Sequence, residues 1–280
     1  AIGARINAAR RVINDSGEQQ RWIRTIARKG FRFVGEVREE VESPALNSQP
    51  DGTDPQCPKH ALRPQEVRFC RTKDGVNIAA ACVGDGIPLI RTSTWMTHVE
   101  YDWQSPIRIP LLQFLADRFR LIRYDCRNNG LSDWDVSNVS FEALQHDLET
   151  VVDAFALRSY ALLGISQGAA IAIAHAVRYP EQVTKMVLLG GYALGHNKRG
   201  ARKGFDLKTF IELMREGWGD EHSAFQKMMS LVFLPNASAD QIRWYAELQR
   251  VASSPENTVR LRSTFDNIDV LDLLPQVRVP

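Results

Sequence analysis

The sequence has no long apolar run and few cysteines. None of its hydrophobic stretches reaches the roughly 18 residues that cross a membrane, so we predict no transmembrane helix and no membrane partner. The four cysteines (Cys57, Cys70, Cys82 and Cys126) are scattered and form no Cys-x-x-Cys pair. This arrangement predicts neither a zinc site nor a disulfide framework. It fits a reducing compartment, so we expect a cytoplasmic protein.

Charge is almost balanced over the chain but is unevenly distributed. The 280 residues carry a net charge of +2. Residues 1–38 hold nine basic and three acidic side chains, a net charge of +6, which leaves −4 on the remainder. A small basic segment joined to a mildly acidic body suggests a polyanion-binding module attached to a second domain.

The basic segment has the pattern of a helix followed by a β-hairpin. Apolar residues recur at three- and four-residue spacing over residues 4–13, which predicts one face of a helix. Two β-like runs, residues 22–26 and 31–34, flank a basic turn at 27–30 and predict a hairpin. Residues 39–65 are rich in Pro, Asp, Ser and Gln without apolar periodicity, which predicts a flexible linker.

Residues 4–11 (ARINAARR) and 23–34 (IRTIARKGFRFV) resemble the end of the OmpR/PhoB-type winged-helix domain of bacterial transcription and phosphorelay regulators. The resemblance implies a partial winged helix whose helix enters the DNA major groove and whose hairpin wing touches the adjacent backbone. Arginine suits guanine edges and phosphates alike. The implied DNA contacts are Arg5, Asn7, Arg10 and Arg11 on the helix, and Thr25, Arg28 and Lys29 on the wing. The alternative is a solvated helix and hairpin without a ligand.

From Val67 onward, short apolar runs alternate with helical patterns, which predicts an α/β domain with a mostly parallel sheet. We predict strands at 67–70, 78–83, 88–92, 120–124, 160–165 and 183–189, and helices at 105–118, 141–155 and 167–179. Ser140 is a candidate N-cap for the second of these helices. Helical spacing over about 200–275 predicts a cap above the site. The expected domains are therefore 1–38, a linker at 39–65, and 66–280.

Residues 164–168 read Gly-Ile-Ser-Gln-Gly between a predicted strand and an alanine-rich predicted helix. This is the setting of a nucleophile elbow, a sharp turn that projects a serine above the sheet. With 123–133 (RYDCRNNGLSD) and 179–183 (YPEQV), the motif resembles the α/β-hydrolase superfamily over 67–190 and, less closely, through the cap. The resemblance implies a cofactor-free serine hydrolase of small esters or related acyl compounds, with Ser166 as nucleophile. Asp125 and Arg127 are expected to be structural, and Asn128 stands where glycine is usual.

The expected oxyanion hole departs from the superfamily pattern. The run Arg91-Thr92-Ser93-Thr94-Trp95 lacks the His-Gly that usually follows the third strand. The resemblance implies that the amide of Gln167 is one donor and that Thr94 or Trp95 supplies the second. His98 is interpreted either as a pocket residue near this loop or as an ordinary loop residue.

The sequence offers no clear general base for Ser166. In this superfamily the acid and then the histidine follow the serine along the chain. Beyond the helix that follows Ser166 only His196 and His222 remain, and both are expected at the surface. The chain begins at Ala1 rather than Met and ends at Pro280 in a run that resembles the approach to another strand. We expect a piece of a longer polypeptide, inactive or nearly so by itself, whose acid and histidine lie beyond Pro280.

Two functions stay open. One is a bacterial regulator-like protein whose DNA-binding winged helix is fused to a serine hydrolase. The other is a DNA-binding regulator whose weakly catalytic hydrolase-like domain senses a small ligand.

Overall fold

A computed structural model describes residues 6, 10, 15–26, 30–34, 63–200, 207–220 and 223–280. The chain divides into two compact units, Ala1–Lys59 and His60–Pro280. In the first unit, β1 (Ile23–Ile26) pairs antiparallel with β2 (Gly30–Phe33), with Ile23 opposite Phe33. This pairing confirms the predicted hairpin. Most of the predicted linker lies outside the described residues.

The described part of the second unit contains a six-stranded sheet. Its strands are β3 (Glu66–Arg71), β4 (Asn77–Val83), β5 (Ile87–Arg91), β6 (Phe119–Tyr124), β7 (Tyr160–Ile165) and β8 (Val183–Leu189), in the order β3-β4-β6-β5-β7-β8. β4 is antiparallel to β3 and to β6, whereas β5 is parallel to β6 and β7, and β8 is parallel to β7. The predicted mostly parallel α/β sheet is confirmed.

Eight α-helices lie in the described part of this unit. They are α1 (Val99–Trp103), α2 (Ile109–Ala116), α3 (Phe141–Ala154), α4 (Gly168–Arg178), α5 (Leu207–Gly217), α6 (Ala224–Phe233), α7 (Ala239–Ala252) and α8 (Pro255–Asp266). The sequence pattern predicts α3 and α4 within a residue or two, but it does not predict α1 as a separate helix. None of the described helices is both long and apolar enough to span a membrane.

Successive side chains of the central strands pack alternately into two hydrophobic clusters, one on each face of the sheet. Leu89, Leu121 and Leu163 belong to a cluster that includes Leu112 of α2. Their neighbours along the strands, Ile90, Ile122 and Leu162, belong to the larger cluster, which also contains side chains of α3 and α4. Because successive side chains of a strand point to opposite faces, this alternation places α2 on one face and α3 with α4 on the other.

Serine caps define several helix starts. The Ser140 hydroxyl accepts a hydrogen bond from Ala143 N–H at 3.2 Å and begins α3, as the sequence predicts. Serines likewise cap α6, α7 and α8, namely Ser223, Ser238 and Ser254. Each such cap contributes about 1 kcal/mol by satisfying a backbone N–H that the helix leaves unpaired.

The turn after β6 is held by a buried arginine. Arg127 is fully buried, and its Nε and Nη2 donate to Asp147 Oδ1 of α3 at 2.9 and 2.8 Å. Its Nη1 donates to Asp74 Oδ2 and to the Asn138 carbonyl at 2.8 and 3.0 Å. Asn128 follows with φ of 64°, a left-handed conformation that asparagine tolerates, so the turn accommodates this residue where glycine is usual.

Replacing Asp147 or Asp74 by asparagine should show how much each ion pair of Arg127, one buried and one partly exposed, contributes to stability. Asp147→Asn leaves the buried guanidinium without its fully buried partner, and we expect a loss of about 3–5 kcal/mol in the free energy of unfolding. Asp74→Asn removes a partner whose side chain is 46% exposed, so the loss should be about 1 kcal/mol or less. Urea denaturation of the two variants measures both values. Equal losses would contradict the assignment of Asp147 as the principal partner.

Candidate active site

Ser166 occupies the turn between β7 and α4. Its φ of 53° lies in the left-handed region that residues other than glycine rarely adopt. Its N–H donates to the Leu189 carbonyl of β8 at 2.9 Å, and its carbonyl accepts from Ala169 N–H at 3.1 Å. The neighbouring strand and helix therefore hold this strained conformation in place.

The two glycines of the motif allow the close approach that this turn needs. A Cβ on Gly164 would lie 2.7 Å from Ala169 Cα, and one on Gly168 would lie 2.5 Å from Thr92 Oγ1. Both distances are shorter than side chains tolerate. Glycine at both ends of the motif avoids these two collisions.

Ser166 opens into a cavity of about 320 Å³, which we call the Ser166 cavity. Its lining includes Gln167, Thr94 and Trp95, so the structure brings all four sequence-predicted catalytic candidates to one place. Most of the other lining residues are apolar or aromatic and come from the helices α2, α6 and α7 or from the loops beside them; they include Met96, Ile107, Leu111, Leu112, Phe233, Leu234, Trp244 and Tyr245. The volume is at the small end of the range for ligand pockets.

Three backbone N–H groups beside Ser166 are candidate oxyanion donors. Gln167 precedes the first residue of α4, and within the described residues its N–H has no acceptor. The N–H groups of Thr94 and Trp95 also have no acceptor among the described residues. Unpaired N–H groups beside a serine can donate hydrogen bonds to a substrate carbonyl oxygen and so stabilise the negative charge that develops on it during attack.

The loop that carries Thr94 and Trp95 is fixed by polar contacts and by ring packing. The Thr94 carbonyl accepts from Asn129 Nδ2 at 2.9 Å, and the Trp95 ring lies 5.6 Å from that of Trp218, centroid to centroid. Thr94 and Trp95 are buried, at 7% and 6% exposure. Their backbone is therefore positioned without the glycine that the superfamily usually has here.

No histidine in the described part of the chain lines the Ser166 cavity. His146 and His175 line a different surface groove of about 810 Å³ beside α3, which does not include Ser166. His175 Nε2 pairs with the Tyr160 hydroxyl at 2.6 Å, and burial lowers the pKa of His175 to about 4. His196 lies in a short 3-10 helix, His196–Lys198, and His222 lies outside the described residues.

His98 is a helix cap rather than a pocket residue. Its Nδ1 accepts from Tyr101 N–H at 3.1 Å and begins α1, and its ring packs edge-on against Tyr101. His98 is not part of the cavity lining. The interpretation of His98 as a pocket residue is therefore wrong, because the side chain is used to satisfy a backbone N–H.

Sequence reasoning assigns no role to the two arginines that line the cavity. Arg91 is the last residue of β5, and Arg108 immediately precedes α2. Arg108 Nη1 lies 2.6 Å from Asp102 Oδ1, whereas Arg91 Nη1 lies 3.8 Å from Asp102 Oδ2. Burial first, and then the neighbouring Arg108, lower the pKa of Arg91 to about 10. An arginine inside a buried strand is the sequence signal that could have identified this site.

In the first unit the structure describes two of the seven predicted DNA contacts, Arg10 and Thr25. Arg10 is 4% exposed, and its Nη2 donates to the Ile23 carbonyl at 2.8 Å and to Thr25 Oγ1 at 3.0 Å. The guanidinium of Arg10 therefore holds β1, and its assignment as a DNA contact stays a prediction. The other predicted contacts, Arg5, Asn7, Arg11, Arg28 and Lys29, lie outside the described residues.

The strand order and the serine on a strand–helix turn together define an α/β-hydrolase fold. The chain belongs to the alpha/beta hydrolase fold family, whose family model matches residues 97–276. An esterase from Exiguobacterium antarcticum superposes with a TM-score of 0.60 at 22% identity, over 75% of this chain and 77% of that one. At this identity the likeness shows the fold alone.

Curated relatives bear the name "Putative carbamate hydrolase RutD". The protein from Agrobacterium fabrum is 28% identical over 142 residues, which are 50% of this chain and 49% of that relative. The protein from Rhizobium rhizogenes is 28% identical over 181 residues, which are 61% of this chain and 65% of that relative. The chain thus spans about half to two thirds of the length of these relatives.

Substituting glycine for Ser166 should relieve the strain at the turn. A left-handed conformation costs about 1–2 kcal/mol for a residue with a side chain, and the extra chain entropy of glycine offsets about 0.5–1 kcal/mol. We expect Ser166→Gly to be about 0.5–1 kcal/mol more stable than Ser166→Ala in thermal unfolding. The control Ala246→Gly, inside α7, should lose about 1 kcal/mol. A Ser166→Gly variant less stable than Ser166→Ala would contradict the strained turn.

Proposed function

We propose that this protein is a serine hydrolase of small esters or related acyl compounds and that Ser166 is its nucleophile. The observation that carries the proposal is the left-handed Ser166 at the β7–α4 turn, which opens into a cavity beside unpaired backbone N–H groups. The names of the curated relatives support it, because a carbamate has the same kind of carbonyl centre as an ester.

In this mechanism Ser166 Oγ attacks the substrate carbonyl carbon, and the tetrahedral intermediate collapses to an acyl-Ser166 by breaking the bond to the alcohol, which leaves with a proton. Water then hydrolyses the acyl intermediate to the free acid and regenerates the Ser166 hydroxyl. The Gln167 N–H and the N–H of Thr94 or Trp95 stabilise the oxyanion. Each such donor contributes roughly 10²–10³-fold to the rate. The attack needs a general base to accept the hydroxyl proton. The described cavity lining contains neither histidine nor carboxylate, so we expect the 280-residue chain by itself to turn over slowly.

A fluorophosphonate probe tests the nucleophile directly. In the complete gene product we expect Ser166 Oγ to attack the phosphorus of the probe and displace fluoride. Mass spectrometry should then locate the phosphonyl group on Ser166. Ser166→Ala should reduce labelling to background, and Ser137→Ala, at an exposed loop serine, should leave it unchanged. Absence of labelling at Ser166 in the folded complete protein would overturn the hydrolase proposal. It would favour the second candidate, a ligand-sensing domain.

A DNA-binding role for the first unit rests on its antiparallel strand pair and its net positive charge. If this unit is a wing, Arg28→Ala together with Lys29→Ala should weaken promoter DNA binding by the complete protein at least about tenfold in gel shifts at fixed salt. Arg243→Ala, an exposed arginine of α7, is the control. Arg10 is unsuitable for this test because it is buried within the unit. Unchanged binding in the double variant would contradict the role.

A further inference from the structure

The positive charge in the Ser166 cavity exceeds what the surrounding carboxylates neutralise. Arg91 and Arg108 line the cavity, and Arg123 lies behind them at the register position opposite Arg91. The two carboxylates nearby are those of Asp102 and Asp125. This group of five side chains therefore carries one excess positive charge.

Neither carboxylate is available to Arg91 at hydrogen-bond distance. Asp102 is paired with Arg108 at 2.6 Å and approaches Arg91 only to 3.8 Å. Asp125 Oδ2 accepts the backbone N–H groups of Val99 and Leu131 at 3.1 and 3.0 Å. Asp102 Oδ2 faces Arg91 but beyond hydrogen-bond distance, and no hydrogen bond joins Asp125 to Arg91 among the described residues.

Arg91 is consequently a buried cation with unused donors. Its side chain is 10% exposed, and it makes no hydrogen bond to any residue in the described part of the chain. A buried charge without hydrogen bonds is strongly unfavourable. Its location in the cavity lining makes a bound anion the natural way to satisfy it.

The anion that fits is a single carboxylate. A guanidinium presents a planar fork of N–H groups that matches a carboxylate in a bidentate manner. A phosphate monoester carries a charge of about −1.5 to −2, more than the one excess positive charge here. Apart from Arg108, which pairs with Asp102, and the backbone N–H groups beside Ser166, the rest of the lining is largely apolar, with Leu111, Leu112 and Phe233.

We propose that the ligand of the Ser166 cavity is a small acyl compound that also carries a carboxylate, which Arg91 binds while Arg108 holds Asp102. Arg91 ends β5, and its register partner Leu163 lies three residues before Ser166 in β7. The cation and the serine thus lie at the same edge of the sheet. This inference rests on the proposed function for the identity of the reacting carbonyl.

A binding measurement tests the inference without requiring turnover. The probes are monomethyl succinate and its neutral analogue methyl succinamate, titrated into the Ser166→Ala protein. Trp95 and Trp244 line the cavity and report binding by fluorescence. We expect monomethyl succinate to bind roughly 10- to 100-fold more tightly than methyl succinamate, since charged hydrogen bonds carry the difference.

Adding Arg91→Met should abolish this preference, and Arg91→Lys, which keeps the charge but not the planar fork, should retain part of it. Arg118→Met is the matched control, because that arginine lies over Phe114 outside the cavity lining. If Arg91→Met does not fold, as judged by thermal unfolding, the Arg91→Lys comparison decides. Equal affinity for the two probes, no measurable binding of monomethyl succinate, an unchanged preference in the folded Arg91 variants, or tighter binding of inorganic phosphate would overturn the inference.

The two proposals fail in different ways. Fluorophosphonate labelling of Ser166 without any carboxylate preference overturns this inference and leaves the hydrolase proposal standing. An Arg91-dependent carboxylate preference without labelling supports this inference and overturns the hydrolase proposal.

Discussion

The strained turn at Ser166 is the constraint on which the rest of the site depends. Its left-handed backbone points the serine out of the sheet, and it persists because β8 and the first turn of α4 both hydrogen-bond to it. The turn also requires α4 to start almost in contact with β5 and β7, which only Gly164 and Gly168 permit. That approach places the Gln167 N–H beside the cavity. The position of the serine, a candidate oxyanion donor and one cavity wall therefore follow from one backbone conformation.

Two buried arginines in this unit illustrate how the same residue type serves different purposes. Arg127 has its donors matched by Asp147, Asp74 and a carbonyl, so it is complete within the fold and fixes the turn after β6. Arg91 is almost as buried but lies 3.8 Å from Oδ2 of its closest carboxylate, Asp102, whose Oδ1 pairs with Arg108 at 2.6 Å. Burial alone does not distinguish the two. The two differ in how many of their N–H donors are satisfied within the protein. This number distinguishes a structural cation from one that is available to a ligand.

The sequence predicts those features that depend on neighbours along the chain. The strands of the sheet, the Ser140 cap and the Gly164–Gly168 turn are local patterns, and the structure has all of them. It does not predict features that depend on tertiary neighbours. Arg10 has a position on the helix that looks solvent-facing, yet it hydrogen-bonds to β1. His98 looks like a pocket residue, yet it caps α1. The partner of Arg10 is the Ile23 carbonyl, which belongs to another segment and is not visible in the local pattern. The cap at His98 is local, through Tyr101 N–H, but the sequence pattern does not reveal it because it does not predict α1 as a separate helix.

The loop after β5 shows how a missing glycine can be accommodated. It lacks the His-Gly step of the superfamily, and its shape is held by the turn that follows β6. Cys126 N–H donates to Ser93 Oγ at 3.1 Å, and Asn129 Nδ2 donates to the Thr94 carbonyl at 2.9 Å. Arg127 anchors that same turn through Asp147. The buried ion pair therefore helps to fix the backbone of Thr94 and Trp95 through the turn. The motif at 123–133 therefore supports the loop of Thr94 and Trp95 from outside the cavity, so its buried charges help to shape the cavity without lining it.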